Sequence, residues 1–298
     1  MFYATSDTYA CSALVNAHRL RNRLHSTVPI ILIAGPRVTT SAARTFEAHG
    51  VRVVRDKAPP LGPNSVEYYE EVLLKLRALQ LHHVDPALRR VVVLDSDQLV
   101  RKNLDHLFAL PRADIAAPLM YWGGGGGVTT TLMVAALDDA LWAIVDGALH
   151  HMRADEYDMD LVNRVLQQRL LVLPGRYCTL NSHWEAHDIP GWFRGTRLSA
   201  GAASADLAAL YDDVEVLHFT AMGKPWNVVP AEIRETKPDV HPLFIEQFVD
   251  WHRDALEVCR PFYVVDPPFQ WTEPAWVAPV PASTQSGAPA LTNGFFSV

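Results

Sequence analysis

Short apolar runs alternate with segments of helical spacing through the first hundred residues. Residues 2–5 read as a strand, 9–24 as a helix, and 28–34 as a second strand that Gly35-Pro36 breaks. Residues 40–49 have helical spacing with Gly50 as their stop, leading into a strand over 51–54. Pro59, Pro60 and Pro63 mark a loop, and helical spacing resumes over 66–83. Val91-Val92-Val93-Leu94 is an unbroken β-branched run of the kind buried on both faces of a sheet. This β-α-β-α-β rhythm predicts an α/β fold, a mostly parallel sheet with crossover helices.

Beyond residue 97 the pattern loosens. Residues 115–118 and 132–136 read as strands, with the five glycines Gly123 to Gly127 between them. Residues 137–150 and 157–168 read as helices, 170–173 and 214–219 as strands, and 242–259 as a last helix. From residue 266 Pro, Ala, Ser and Thr dominate with no apolar period, which reads as a tail. No internal repeat is visible.

The chain has 298 residues, 49% of them hydrophobic, enough for a sizeable core in one large α/β domain or two smaller ones. A formal charge of −7 argues against nucleic acid or an anionic membrane as main partner, since both need a basic patch. Cys11, Cys178 and Cys259 are odd in number and far apart, with neither disulfide-framework nor zinc spacing, so a reducing compartment is the simpler expectation. The first residues read as a strand rather than a leader, and no run of 18 apolar residues occurs. Together these set the expectation of a cytoplasmic protein without a membrane span.

The chemistry concentrates at Asp95-Ser96-Asp97, where two carboxylates end the apolar run 91–94. Open α/β sheets place ligands at the carboxyl ends of strands, and residues one apart on a strand point to the same side. Two hard oxygen ligands there suit a Mg²⁺ or Mn²⁺ that also holds phosphate oxygens. The plain alternative is a strand-end aspartate capping the turn into Asn103-Leu104-Asp105. A second segment runs from Val216 to Trp226: a strand delivers His218, and a turn then presents Gly223, Lys224 and Trp226. Histidine can complete a site begun by carboxylates, Gly lets backbone approach a phosphate, and Lys supplies a point charge. Taken singly, each has an ordinary structural explanation.

The order and spacing of these pieces resemble glycosyltransferase family 8, the glycogenin-like retaining transferases that use nucleotide sugars. The resemblance spans residues 2–226. It rests on Tyr3-Ala4-Thr5-Ser6-Asp7-Thr8-Tyr9-Ala10, Lys75-Leu76, Val93-Leu94-Asp95-Ser96-Asp97 and Asn103-Leu104-Asp105-His106-Leu107-Phe108. It further rests on Asp158-Met159-Asp160-Leu161-Val162-Asn163 and the turn from His218 to Trp226. It implies a single Rossmann-like nucleotide-sugar-binding domain of GT-A type over residues 1–265, with a mixed, mostly parallel central sheet, and a Pro/Ala-rich tail over 266–298. It implies Mn²⁺ (or Mg²⁺) on Asp95, Asp97 and His218, and a UDP-sugar donor whose leaving diphosphate is stabilised with help from Lys224 and the Gly223 amide. Ala4, Thr5 and Tyr9 would hold the uracil, and Ser96 the ribose. Lys75 and Asp158, with Asp155 and Met159 nearby, would face the donor sugar. Asp158 and Lys224 would be the catalytic residues. The acceptor is not named, a homodimer is common in such a family, and self-glucosylation would need a tyrosine such as Tyr177 near the site.

Two departures stand out. Relatives often carry Gln where this chain has Met159, and a thioether neither donates an amide hydrogen bond nor acts as an oxygen nucleophile. Relatives usually show Asn-Ser-Gly where this chain has Thr129-Thr130-Thr131, whose hydroxyls could bond sugar oxygens. Both departures leave open a degenerate protein that binds nucleotide sugars without turnover. The glycines at 123–127 read as a flap over the site or as a tolerated insertion. A haloacid-dehalogenase-like phosphatase is a further alternative, with Asp212-Asp213 as its later acidic pair.

Overall fold

The computed structural model describes residues 1–66, 69, 71–123, 126–193 and 199–260. Its frame is a seven-stranded sheet, and the apolar runs of the sequence are its strands. These are β1 (Phe2–Ser6), β2 (Ile31–Arg37), β3 (Arg52–Arg55), β4 (Arg90–Leu94), β6 (Ile115–Pro118), β7 (Leu132–Ala136) and β8 (Leu170–Leu173), in the order β3-β2-β1-β4-β7-β6-β8. All neighbours are parallel except β7, which runs antiparallel to both β4 and β6. A three-stranded sheet stands beside it, with β5 (Gln98–Val100), β9 (Thr179–Leu180) and β12 (Val216–His218) in the order β5-β12-β9. Between β9 and β12 lies a small antiparallel pair, β10 (Asp188–Ile189) and β11 (Ser199–Ala200). The late strand expected over 214–219 is therefore shorter and belongs to a different sheet.

Both faces of the main sheet are covered, as its parallel half requires. Alternate residues Phe2, Ala4, Leu32, Ala34, Val92 and Leu94 face one core. That core is shared with α1 (Asp7–His18), α2 (Thr40–Ala48) and the long C-terminal helix Pro242–Val258. Tyr3, Ile31, Ile33, Val91 and Val93 face the other. There they meet a 3-10 helix (Val72–Gln80), the single turn α3 (Leu81–Val84), α4 (Asp139–Leu149) and α5 (Asp158–Leu166). Three further helices, α6 (Ser182–Ala186), α7 (Ser204–Asp213) and α8 (Pro230–Thr236), precede that long helix, which is α9.

Several boundaries moved. The helix expected from residue 9 begins at Asp7 and widens into a π-helix over Arg19–Arg23. The helix expected over 66–83 is mostly 3-10, and Glu67, Tyr68 and Glu70 lie outside the described residues. Gly35-Pro36 does not break β2. The register slips there, from Ala4 opposite Ala34 to Ser6 opposite Arg37, so an extra residue is accommodated as a bulge. Gly124 and Gly125 of the glycine run, and the tail beyond residue 260, also lie outside the described residues.

The cysteine reading is overturned. Cys11 on α1 and Cys259, just past α9, form a disulfide with Cα atoms 5.5 Å apart, leaving Cys178 free and buried. Spacing could not reveal it, because 248 residues separate two positions that helix packing brings together. A structural disulfide does not suit the reducing, cytoplasmic setting expected from sequence. Among the described residues no helix is long and apolar enough to cross a membrane.

Candidate active site

The site lies at the carboxyl end of β4, where apolar side chains give way to Asp95-Ser96-Asp97. The two aspartates take different partners. Asp95, buried, pairs through Oδ1 and Oδ2 with Lys75 Nζ at 2.8 and 3.0 Å. Lys75 also reaches Asp158 Oδ2 at 2.9 Å, and its ammonium lies 5.5 Å from the centre of the Tyr3 ring. It is only 2% exposed, so two carboxylates compensate a lysine taken almost wholly out of water. Burial pushes the Asp95 carboxyl up to about 6, with Asp97 and Asp158 adding to the rise and Lys75 opposing it. Burial works against charge on Lys75, but the two acids outweigh it and raise its pKa.

Asp97 looks the other way. Its Oδ2 lies 2.5 Å from Lys224 Nζ and 3.4 Å from His218 Nε2. Burial favours the neutral acid, yet the two cationic partners prevail and hold Asp97 well below the usual carboxylate range. The same pairing raises His218 to about 9 against the opposing effect of burial. The joining of the two segments is written in the backbone: β5 pairs antiparallel with β12, setting His218 opposite Gln98, and Phe219 N–H donates to the Asp97 carbonyl at 3.2 Å.

The residues expected to hold the nucleotide are more enclosed than a sequence suggests. Ala4 is wholly buried in β1 and Thr5 nearly so. Tyr9, in the first turn of α1, packs edge-on against Trp226 at 5.0 Å. Ser96 is 2% exposed, and its carbonyl accepts from Ser12 Oγ at 2.6 Å, so that backbone oxygen is already engaged. Gly223 adopts φ +101°, with open space where a Cβ would stand. Met159 is half-buried beside Asp158, whereas Asp155 is exposed on the preceding turn with φ +53°. No contact joins Asp155 to Lys75 or Asp158 among the described residues.

Several contacts around the site emerge only in three dimensions. Thr130 Oγ1 donates to Asp158 Oδ2, and Thr131 Oγ1 to Cys178 Sγ at 3.1 Å. These hydroxyls are buried and internally engaged, so they are not the free sugar contacts expected of them. Asn181 is wholly buried; its Oδ1 accepts from Thr220 N and Ala221 N, each at 2.8 Å, and fixes the turn that presents Lys224. Tyr121 Oη accepts from Leu180 N–H at 3.0 Å, beside His218 on the neighbouring strand. It also meets His183 Nε2 at 2.9 Å, whose Nδ1 is 2.5 Å from Asp188 Oδ1. Tyr177 stands instead with His106, 2.7 Å from its Nε2. Asp213 of the acidic pair that a phosphatase would need is paired with Arg176 at 3.3 Å.

The fit of a cation can be tested on the donor atoms. Asp97 Oδ2 and His218 Nε2 stand at 3.4 Å, close to the separation of two ligands each about 2.2 Å from one ion. Asp95 Oδ1 is buried and, although ion-paired with Lys75, makes no aligned hydrogen bond. The three ligand atoms do not converge as a set, because Asp95 turns toward Lys75. Two carboxylates and an imidazole are a donor set of the kind Mn²⁺ or Mg²⁺ takes, and closing it on one ion requires Asp95 to turn from Lys75 and Asp97 Oδ2 to give up Lys224.

No family model matches the chain. Two curated fungal proteins, both named glucose N-acetyltransferase 1, are similar in sequence. That of Gibberella zeae is 22% identical over 242 residues, covering 75% of this chain and 52% of its own length. That of Aspergillus fumigatus is 26% identical over 253 residues, covering 75% and 63%. The chain thus spans about half to three fifths of the curated relatives it matches. Among solved structures, the galactosyltransferase LgtC in complex with donor and acceptor sugar analogues superposes with a TM-score of 0.59. That match has 15% identity and covers 86% of this chain and 95% of LgtC. The fold is of GT-A type. This agrees with the single α/β frame and mostly parallel sheet expected from sequence.

Proposed function

We propose that the chain is a retaining glycosyltransferase that moves a sugar from a UDP-sugar, with a divalent cation, to an acceptor hydroxyl. One observation supports it above the others: Asp97 meets His218 and Lys224, more than a hundred residues further along the chain, at the ligand-binding end of a GT-A-type sheet. Lys224 would donate to an oxygen of the leaving diphosphate, a charge that grows as the glycosidic bond breaks. Lys75 would donate to a hydroxyl of the donor sugar and Asp158 would accept from one, their geometry locked by burial and by Thr130. A bound Mn²⁺ would supply Lewis-acid stabilisation of the same leaving group from Asp95, Asp97 and His218. The Met159 thioether offers no nucleophile. Retention then follows from front-face attack, with the acceptor's proton passing to the departing phosphate oxygen.

The fungal relatives' name favours a second reading, transfer of an acetyl group from acetyl-CoA to the amine of a glucose-type amino sugar, with CoA as the leaving group. Both are tested by one assay: UDP release from a panel of UDP-sugars, with Mn²⁺ or with EDTA, beside CoA release from acetyl-CoA and glucosamine. The expected result is metal-dependent UDP release from one sugar, lowered about a hundredfold or more in Asp97→Asn. Full activity in a well-folded Asp97→Asn protein would sink the site assignment. CoA release alone would establish the second reading, and UDP binding without turnover would identify a nucleotide-sugar-binding protein.

A further inference from the structure

We propose that His82, His83 and Asp139 form a separate cation site, for a zinc-class divalent ion, at the end of β4 remote from Asp95 and Asp97. The single helical turn α3 places both imidazoles side by side, ring centres 4.2 Å apart, just before the chain enters β4. Asp139 is the first residue of α4, three positions beyond the end of β7. His82 Nε2 and His83 Nε2 approach the same Asp139 Oδ1, at 3.1 and 2.7 Å, and the three atoms lie within 4.8 Å of one another. Two imidazole nitrogens and a carboxylate oxygen are a zinc donor set. Ligands about 2.0–2.2 Å from a tetrahedral ion stand about 3.4 Å apart, so the cluster needs only small shifts to close on one.

The surroundings are of a kind an open metal site requires. Asp139 is 87% exposed at its side chain, so ions reach it freely. A cleft of about 820 Å³, lined by His82 and Asp139 together with Arg90, Phe108 and Arg112, leaves room for a fourth ligand, water or a small anion. Arg90 pairs with Ala136 and Leu94 with Leu132, which puts this cluster at the start of β4 and the candidate active site at its end. At about 3.3 Å per residue the five residues of β4 separate the two sites by roughly 16 Å. The inference therefore stands independently of the proposed transfer reaction.

The test is calorimetric titration of chelator-stripped, tag-free protein with Zn²⁺ near neutral pH, done on the wild type and on His218→Ala. In His218→Ala any zinc bound through the other site is weakened. Micromolar or tighter zinc binding is expected in both, weakened tenfold or more when His83→Ala or Asp139→Asn is added, with the circular dichroism spectrum unchanged. X-ray absorption of the loaded His218→Ala protein should show two imidazole ligands. No zinc binding by the stripped wild type would overturn the proposal. So would binding that disappears in His218→Ala, or that survives both His83→Ala and Asp139→Asn.

Discussion

At the scale of single residues, the site is built by neutralising buried charge in two separate groups rather than one. Lys75 serves Asp95 and Asp158, whereas Lys224 and His218 serve Asp97. Each group was half visible in sequence: the aspartates by their place after an apolar run, His218 and Lys224 by their strand and turn. What no pattern showed is the support. Asn181 has an unremarkable sequence context, yet it replaces the missing backbone acceptors of Thr220 and Ala221 with one side-chain oxygen. Asn181→Ala leaves the buried Ala221 amide and the part-buried Thr220 amide without their acceptor and should cost about 1–3 kcal/mol in urea denaturation. It should also lower UDP release by displacing Lys224. Asn181→Asp keeps the acceptor but loses the amide donor to the Ala221 carbonyl and buries a charge, so it should recover only part of the activity; full activity in a well-folded Asn181→Ala protein would remove Asn181 from the support of Lys224.

At the scale of elements, α1 and α9 act as one unit although they stand at opposite ends of the described chain. Cys11–Cys259 joins them, and Arg19 and Arg23 converge on Asp254, which is wholly buried in α9. Trp251 Nε1 donates to Ser12 Oγ at 2.9 Å, and Ser12 in turn donates to the Ser96 carbonyl. The last helix thus braces the Asp95-Ser96-Asp97 turn through two hydrogen bonds. Breaking the disulfide releases a loop of 248 residues, for which Cys259→Ser should lose about 2–5 kcal/mol of stability. Non-reducing peptide mapping should show the Cys11–Cys259 pair, and a denaturation midpoint insensitive to reductant would contradict it. The pattern of apolar residues anticipated both helices, but neither their contact nor the disulfide, because periodicity reports which face is buried and not what covers it.

At the scale of the whole molecule, stability depends on a titratable group buried in the last helix. His252 on α9 is 7% exposed and lies 2.9 and 2.8 Å from the carbonyls of Pro225 and Val228. Burial pushes it down to about 4, so the folded protein keeps it neutral where the unfolded chain, near 6.5, takes up a proton. Its contribution is intact above about pH 6.5 and is lost as pH falls toward 4, by roughly 2–3 kcal/mol. Urea midpoints measured between those pH values should fall with acid, and His252→Gln should flatten that part of the slope. The succession of strands and helices in the first hundred residues, the burial of β4 on both faces and the place of Asp95 and Asp97 at its end were determined by the sequence itself. Alternation, β-branched runs and turn residues are local properties, and a parallel α/β sheet follows from them almost directly. Tertiary structure alone decided that β7 runs antiparallel, that Gly35-Pro36 is absorbed as a bulge, that Cys11 meets Cys259, and that Asp95 faces Lys75 while Asp97 faces Lys224. Each of these is a choice among partners distant in the chain. Such choices are settled by close packing and by compensation of buried charge, neither of which leaves a periodic trace in the sequence.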